Sequence, residues 1–203
     1  VKLYGSLTSP FVRAVRIAAI ELGLDAKIDF APTVVRPTEP NRDYGRSVNP
    51  LRRVPALATE EGETIIDSRV IIEHLNLRAA GSIIPEGAAR IDALNRHAVT
   101  TGATEGLVSA MYETKLRPEP LRWPEWRADL IDKAHAALDW SEERVRDFEQ
   151  SFDIGAIGLV CLIGYGGLRF PEIDWLRGRR GIGSFYEKAL SRRSVAETAP
   201  KEA

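Results

Sequence analysis

The sequence predicts a small α/β domain over residues 1–80 joined to an all-helical domain over residues 88–203. Three observations carry this. Strand-like and helix-like patterns alternate through the first eighty residues. Gly81-Ser82-Ile83-Ile84-Pro85-Glu86-Gly87 then reads as a linker. Beyond it, long helical patterns run to the end with no strand pattern among them. A chain of 203 residues has room for one large domain or two small ones.

The elements follow in order. Residues 1–5 read as a strand. Ser9-Pro10 opens a helix of about a dozen residues that places Val12, Val15, Ala19 and Leu22 on one face and Arg13 and Arg16 off it. Gly23 suits its end. Residues 26–31 read as a second strand. Residues 32–48 hold three prolines and many charges, which predicts a loop with one short helix near 41–47. Pro55-Ala56-Leu57-Ala58 is a third strand; proline donates no ladder hydrogen bond and so heads strands or sits at edges. Glu61-Gly62 turns the chain into a fourth strand that ends at Asp67-Ser68. Ser68 then caps a helix with Ile71, Ile72 and Leu75 inward and Arg69, Glu73 and Asn76 outward.

In the second half, residues 88–115 and 123–149 carry helical patterns, separated by Arg117-Pro118-Glu119-Pro120. Trp126, Leu130, Ala134, Ala137, Ser141, Val145 and Phe148 recur at helical spacing in the second of these. Asp153 can cap residues 154–168, a nearly continuous apolar run in which five of fifteen residues are glycine. That run is short for a membrane span and fits a buried core helix. Pro171 and Gly178 punctuate a shorter helical turn, a last helix spans 183–191, and 197–203 reads as a frayed tail.

Composition excludes several function classes. Hydrophobic residues make up 44% and charged residues 28%, as in ordinary globular proteins. A net charge of −1 gives no electrostatic case for nucleic acid or for an anionic membrane. One cysteine excludes an internal disulfide and a multi-thiolate metal site. A reducing, cytoplasmic setting fits, and no leader-like segment opens the chain.

The chemistry-bearing residues gather around the hairpin. A proline-led hairpin feeding a capped helix leaves backbone amides, a hydroxyl and a carboxylate close together, a site for a small zwitterion. Ser9 sits before a helix whose first residue is proline, where its hydroxyl can cap the helix or donate to a ligand. Ser6 and Thr8 are neighbouring hydroxyls with the same capacity. His74, His97 and His135 are scattered over helices at no metal-binding spacing, as surface residues would be. Cys161 reads as a small buried hydrophobe, and Trp123 and Trp126 as packing residues.

Taken together, Ser9-Pro10-Phe11-Val12-Arg13, Asn49-Pro50 through Val54-Pro55, and Asp67-Ser68, in this order and ahead of an all-helical half, resemble the cytosolic glutathione S-transferases, in particular short bacterial members of serine type. The resemblance spans essentially the whole chain. It implies a thioredoxin-like first domain with a cis Val54-Pro55 bond, and a homodimer acting as a glutathione transferase on small electrophiles, a detoxifying activity. Glutathione would be a co-substrate, with no covalently bound cofactor and no metal. Val54, beside Pro55, would pair with the cysteinyl backbone of glutathione as an added strand does. Ser68 would hold the γ-glutamyl carboxylate at a helix N-terminus, and Asp67 would face the α-amino group. Arg53 would stand near the glycyl carboxylate, with Arg52 adjacent as the other candidate. Ser9 would donate to the sulfur and favour the thiolate. Phe11, Met111, Tyr112 and Lys115 would line the electrophile pocket. One departure stands out: the buried helix lacks the acidic residue three places after its cap, where Ala156 stands.

Overall fold

A computed structural model describes residues 1–201. β1 (Lys2–Gly5) leads through α1 (Pro10–Glu21) to β2 (Asp29–Pro32). A short helix, α2 (Arg42–Ser47), precedes the hairpin of β3 (Ala56–Ala58) and β4 (Thr64–Ile66), and α3 (Ser68–Arg78) follows. The four strands lie in the order β2-β1-β3-β4. β1 and β2 are parallel, whereas β3 runs antiparallel to both its neighbours. This is the thioredoxin-like arrangement expected, and the Val54-Pro55 bond is cis.

The rest of the described chain is helical: α4 (Ala88–Lys115), α5 (Pro124–Glu143), α6 (Val145–Glu149), α7 (Ile154–Arg169), α8 (Arg180–Leu190) and α9 (Arg193–Glu197). No strand follows Ile66 among the described residues. The predicted helix over 123–149 is broken between Glu143 and Val145, where Arg144 leaves helical geometry. Residues 171–179 form turns rather than a helical turn, and the last predicted helix starts three residues earlier than expected, at Arg180.

α7 is the axis of the helical half and packs on both α4 and α1. Its glycines explain how. A Cβ at Gly158 would collide with the Thr100 hydroxyl of α4, one at Gly164 with the Arg13 guanidinium of α1, and one at Gly166 with the Trp175 ring. Removing side chains at these positions lets neighbouring elements approach the α7 backbone. Asp153 caps the helix, accepting from the Gly155 and Ala156 amides. The cap carboxylate is itself held in place: Arg96 of α4 pairs with Asp153 at 2.6 Å, and the Ser151 hydroxyl donates to it.

Four sequence expectations about side-chain placement are corrected. Arg13 does not face away from the core; it is buried and donates to the carbonyls of Val160 and Val195. Asn76 is buried too, because its amide bonds both the N–H and the C=O of Ile84. The linker over 81–87 is therefore no loose tether. Ile83 and Ile84 enter the core, and the Ile83 carbonyl accepts from the Ile154 amide. Trp123 and Trp126 are exposed rather than packed.

The tail is likewise anchored, not frayed, as far as it is described. Arg192 pairs with Glu21 and Arg193 with Asp25, both at the end of the first βα segment. Thr198 is buried and donates back to Ser194. Residues 202 and 203 of the predicted tail lie outside the described residues.

Candidate functional site

The N-termini of α1 and α3 meet at the seam between the two halves. Pro10 and Phe11 of α1 and Ser68 of α3 line one small cavity, closed from the helical half by His97, Thr101 and Thr104 of α4 and Gly158 and Cys161 of α7. Helix N-termini present unpaired amides and a positive dipole end, so two of them at one seam favour an anionic ligand beside it.

At α1, Ser9 is extended (φ −80°, ψ 124°) and its side-chain oxygen accepts from the Val12 amide at 3.3 Å. Capping is thus one role of this hydroxyl. The cap uses the oxygen only; among the described residues the Ser9 hydroxyl has no acceptor of its own, which leaves its proton to give. Of the alternative hydroxyls, Ser6 Oγ and Thr8 Oγ1 lie 2.9 Å apart, so one of them donates to the other.

Arg53 and Val54 are fixed from below. The Arg53 carbonyl accepts from both the Tyr44 hydroxyl and the Asn49 side-chain amide, each at 2.8 Å. Burial pushes the Tyr44 phenol up to about 12, so it remains a donor. Asn49 is buried and also receives the Leu51 amide, closing the turn in which Arg52 adopts φ +52°. Val54 is half-buried, outside any strand, and Pro55 is buried behind it. Arg53 and Arg52 are both exposed.

The α3 entry differs from expectation. The capping residue is Asp67, not Ser68: its carboxylate accepts from the Arg69 amide at 2.9 Å, and Ser68 is the first helical residue. Asp67 has φ +74°, a backbone region costly for a non-glycine residue, held here by the hairpin on one side and the helix on the other. Asp67 is exposed and Ser68 is buried. The first helical amide of Ser68 has no intrahelical acceptor, and its hydroxyl has no partner among the described residues.

His97 corrects another expectation. It is buried at the seam, not on the surface, with Nδ1 3.2 Å from the Ile154 carbonyl. Burial holds its pKa below the ordinary histidine value; the Ile154 bond opposes this, and Asp67, Arg69 and Asp153 are its charged neighbours. Cys161 is buried as expected, and burial pushes its thiol up to about 11 against the opposing charge of Arg13. It is a neutral thiol at physiological pH.

The pocket residues named from sequence divide by exposure. Phe11, Met111 and Tyr112 are half-buried and Lys115 is exposed. Sequence reading passed over two residues of α7. Tyr165 of α7 is buried, and Arg169 lies over its ring at 5.9 Å. Burial raises the Tyr112 phenol and takes Tyr165 to about 12; Arg169 opposes both shifts, and Arg53 opposes that of Tyr112. Tyr165 was hidden in an apolar run, and Arg169 lies just past its end.

Fold and site together define a two-domain protein: a thioredoxin-like domain whose hairpin and helix entries open on an all-helical domain. Comparison with known proteins is specific. A family model described as "Glutathione S-transferase, N-terminal domain" matches residues 3–82. An uncharacterized GST-like protein, YibF, of Escherichia coli (strain K12) is 30% identical over the full length of both chains. A glutathione transferase family member from Pseudomonas fluorescens Pf-5, solved with bound glutathione, is 30% identical with a TM-score of 0.95, covering 99% of each chain. A second structure from that organism, with bound S-(propanoic acid)-glutathione, is 29% identical with a TM-score of 0.91 over 100% of both chains. A glutathione S-transferase from Methylobacillus flagellatus KT, with glutathione bound, is 29% identical with a TM-score of 0.86, covering 98% of this chain and 99% of that one. The chain belongs to the glutathione S-transferase family.

Proposed function

We propose that this chain is a glutathione transferase that joins the glutathione sulfur to small hydrophobic electrophiles. The observation that carries the reading is the meeting of two helix entries at one seam, each holding a serine hydroxyl with a proton to give. Ser68, with its free amide, takes the γ-glutamyl carboxylate; Asp67 takes the α-amino group; Val54 takes the cysteinyl backbone as an added strand beside Pro55; and Arg53 takes the glycyl carboxylate. Relatives solved with glutathione or an S-substituted glutathione bound support glutathione as the ligand.

A free thiol has a pKa near 8.5 and is mostly protonated at neutral pH. Ser9 is the catalytic residue of the proposal: its hydroxyl donates to the sulfur while the α1 N-terminus favours the same negative charge. The thiol proton goes to water, and the thiolate forms the S–C bond either as a leaving group such as halide departs with its bonding pair or, at an activated alkene, as the C=C π pair moves to the neighbouring carbon and is protonated from water. Phe11, Met111, Tyr112 and Lys115 line the side from which that carbon arrives, with residues 88–203 supplying the electrophile pocket and residues 1–80 the glutathione site.

Turnover with a panel of haloarenes and activated alkenes, measured beside calorimetric glutathione affinity, tests the reading. Micromolar to millimolar affinity with turnover above the uncatalysed rate is expected. Affinity without turnover would make the chain a glutathione-binding protein, and no affinity would reject the site.

The working unit of the proposal is a cytoplasmic homodimer. A surface groove between α4 and α5, lined by Ala98, Gly102, Gly106, Ala136 and Trp140, gives a second copy a place to approach closely. Sedimentation at micromolar concentration showing only a 22.5-kDa species would reject the dimer, and cell fractionation outside the cytoplasm would reject the location.

A further inference from the structure

Besides the neutral Cys161 thiol, the wall of the seam cavity holds one titratable side chain that the transferase reading does not use, His97 of α4. It is 3% exposed, and Ser68, on the wall contributed by the other half, is 6% exposed. The cavity measures about 10 Å³, on the order of a single water. The Ile154 carbonyl can only accept, so the Nδ1 that faces it at 3.2 Å carries the ring proton and Nε2 is the bare nitrogen. Thr101 Oγ1 is 3.3 Å from Nε2 but also 3.4 Å from Nδ1. An oxygen so nearly equidistant from both nitrogens lies over the ring, out of line with either of them. Among the described residues, the Nε2 lone pair and the Ser68 hydroxyl both lack an in-line partner, and both belong to walls of one water-sized space.

The charges that face His97 come in opposed pairs. Asp67 and Arg69 flank Ser68 at the α3 entry, and Asp153 at the α7 entry pairs with Arg96 at 2.6 Å. α1 brings only Pro10, Phe11 and Ala14 to the cavity. A carboxylate held at Ser68 is therefore a new negative charge in a buried place, where it acts on a neighbouring ring far more strongly than in water. Resting on the transferase reading above, we propose that His97 is a positioning residue of the glutathione site: it takes up a proton at Nε2 as the γ-glutamyl carboxylate settles on Ser68, and the imidazolium then holds that carboxylate across the cavity. The proton comes from water, Nδ1 keeps its bond to Ile154, and no other bond forms or breaks.

The sign of the coupling follows. An ordinary histidine titrates at about 6.5, and in the free protein burial holds His97 below that. The bound carboxylate raises it again. Proton uptake therefore belongs to the range below about pH 6.5, and there affinity rises as pH falls, by at most about tenfold per pH unit for one proton. The coupling is reciprocal: the factor by which the ligand tightens the proton is the factor by which the proton tightens the ligand. His74 and His135 lie outside the cavity and take no part.

S-Methylglutathione is the probe, because its sulfur carries no proton and its carboxyl and amino groups do not titrate between about pH 5 and 7. Calorimetry in buffers of different ionisation enthalpy counts the protons taken up on binding. Wild type should take up a fraction of a proton at about pH 5.5 and none at about pH 7.5, with affinity rising about threefold to tenfold between them. His97→Asn, whose side-chain amide can keep the Ile154 contact without titrating, should take up none and show a flat affinity. The S-methyl conjugate of 4-aminobutyryl-cysteinylglycine, which lacks only the γ-glutamyl carboxylate, should cause no uptake in wild type. An NMR titration of the His97 ring in wild type needs no variant, and its midpoint should move up when S-methylglutathione is added. Uptake that is absent in wild type, kept in His97→Asn or equal for the conjugate without the carboxylate would overturn the inference, as would a ring titration unmoved by the ligand. Binding without uptake removes only the role of His97. If S-methylglutathione binds at no pH, the glutathione site itself is wrong and the inference falls with it.

Discussion

The entries of α1 and α3 share a cavity yet offer different sets of donors to an anion. At α1 the first helical residue is Pro10, which has no N–H, and the Ser9 oxygen already takes the Val12 amide. What remains to offer outward is the hydroxyl proton and the Phe11 amide. At α3 the cap has moved back one residue to Asp67, whose carboxylate takes the Arg69 amide. That shift releases both the amide and the hydroxyl of Ser68. The amide and hydroxyl of one residue suit a carboxylate with two oxygens, and a hydroxyl at the helix entry suits a single sulfur. The positive φ of Asp67 is what the second arrangement costs, about 1–3 kcal/mol for a non-glycine residue.

The contrast is broken most sharply at Ser68. Replacing it with alanine removes a donor to a charged carboxylate, a contact worth roughly 1.5–3 kcal/mol, while leaving the Asp67 cap intact. Glutathione affinity by calorimetry should fall accordingly, with no large loss of thermal stability. Unchanged affinity would mean that the α3 entry is only a helix start. At Ser9 the opposite separation is expected. Ser9→Ala should leave glutathione affinity close to wild type and raise the pKa of the bound thiol by roughly one to two units, since one unit corresponds to 1.36 kcal/mol. Ultraviolet titration of the bound thiolate reads this directly. The same variant loses a helix cap worth about 1 kcal/mol of stability, so a thermal shift without a change in thiol pKa would assign Ser9 to capping alone.

Periodicity and turn chemistry located the elements because those signals are local. α4 matches its predicted limits, and the third and fourth strands and α2 fall where proline, glycine and charge placed them. Local signals failed wherever a polar residue was buried by a distant partner. Arg13, Asn76 and His97 each read as outward or surface residues, and each meets a backbone carbonyl from outside its own helix: those of Val160 and Val195, of Ile84 and of Ile154 in turn. A helical wheel scores the side chain and has no knowledge of carbonyls arriving from another element. The same limit applies at the candidate site. Ser9, Asp67 and Ser68 could be named because helix entries have a sequence signature, although the cap was placed one residue late. Tyr165 had none, because it stands inside a nearly continuous apolar run.

The seam that carries α1 is fastened in two chemically distinct ways. At its rim, partly exposed ion pairs join α9 and its flanks to Glu21 and Asp25. Inside, Arg13 reaches the Val160 and Val195 carbonyls out of contact with solvent. Mobile ions screen exposed charges within about 8 Å at physiological ionic strength and about 3 Å at 1 M, but act far less on buried ones. The attachment of the serine-bearing helix is thus graded from a rim that responds to electrolyte to a centre that is insulated from it.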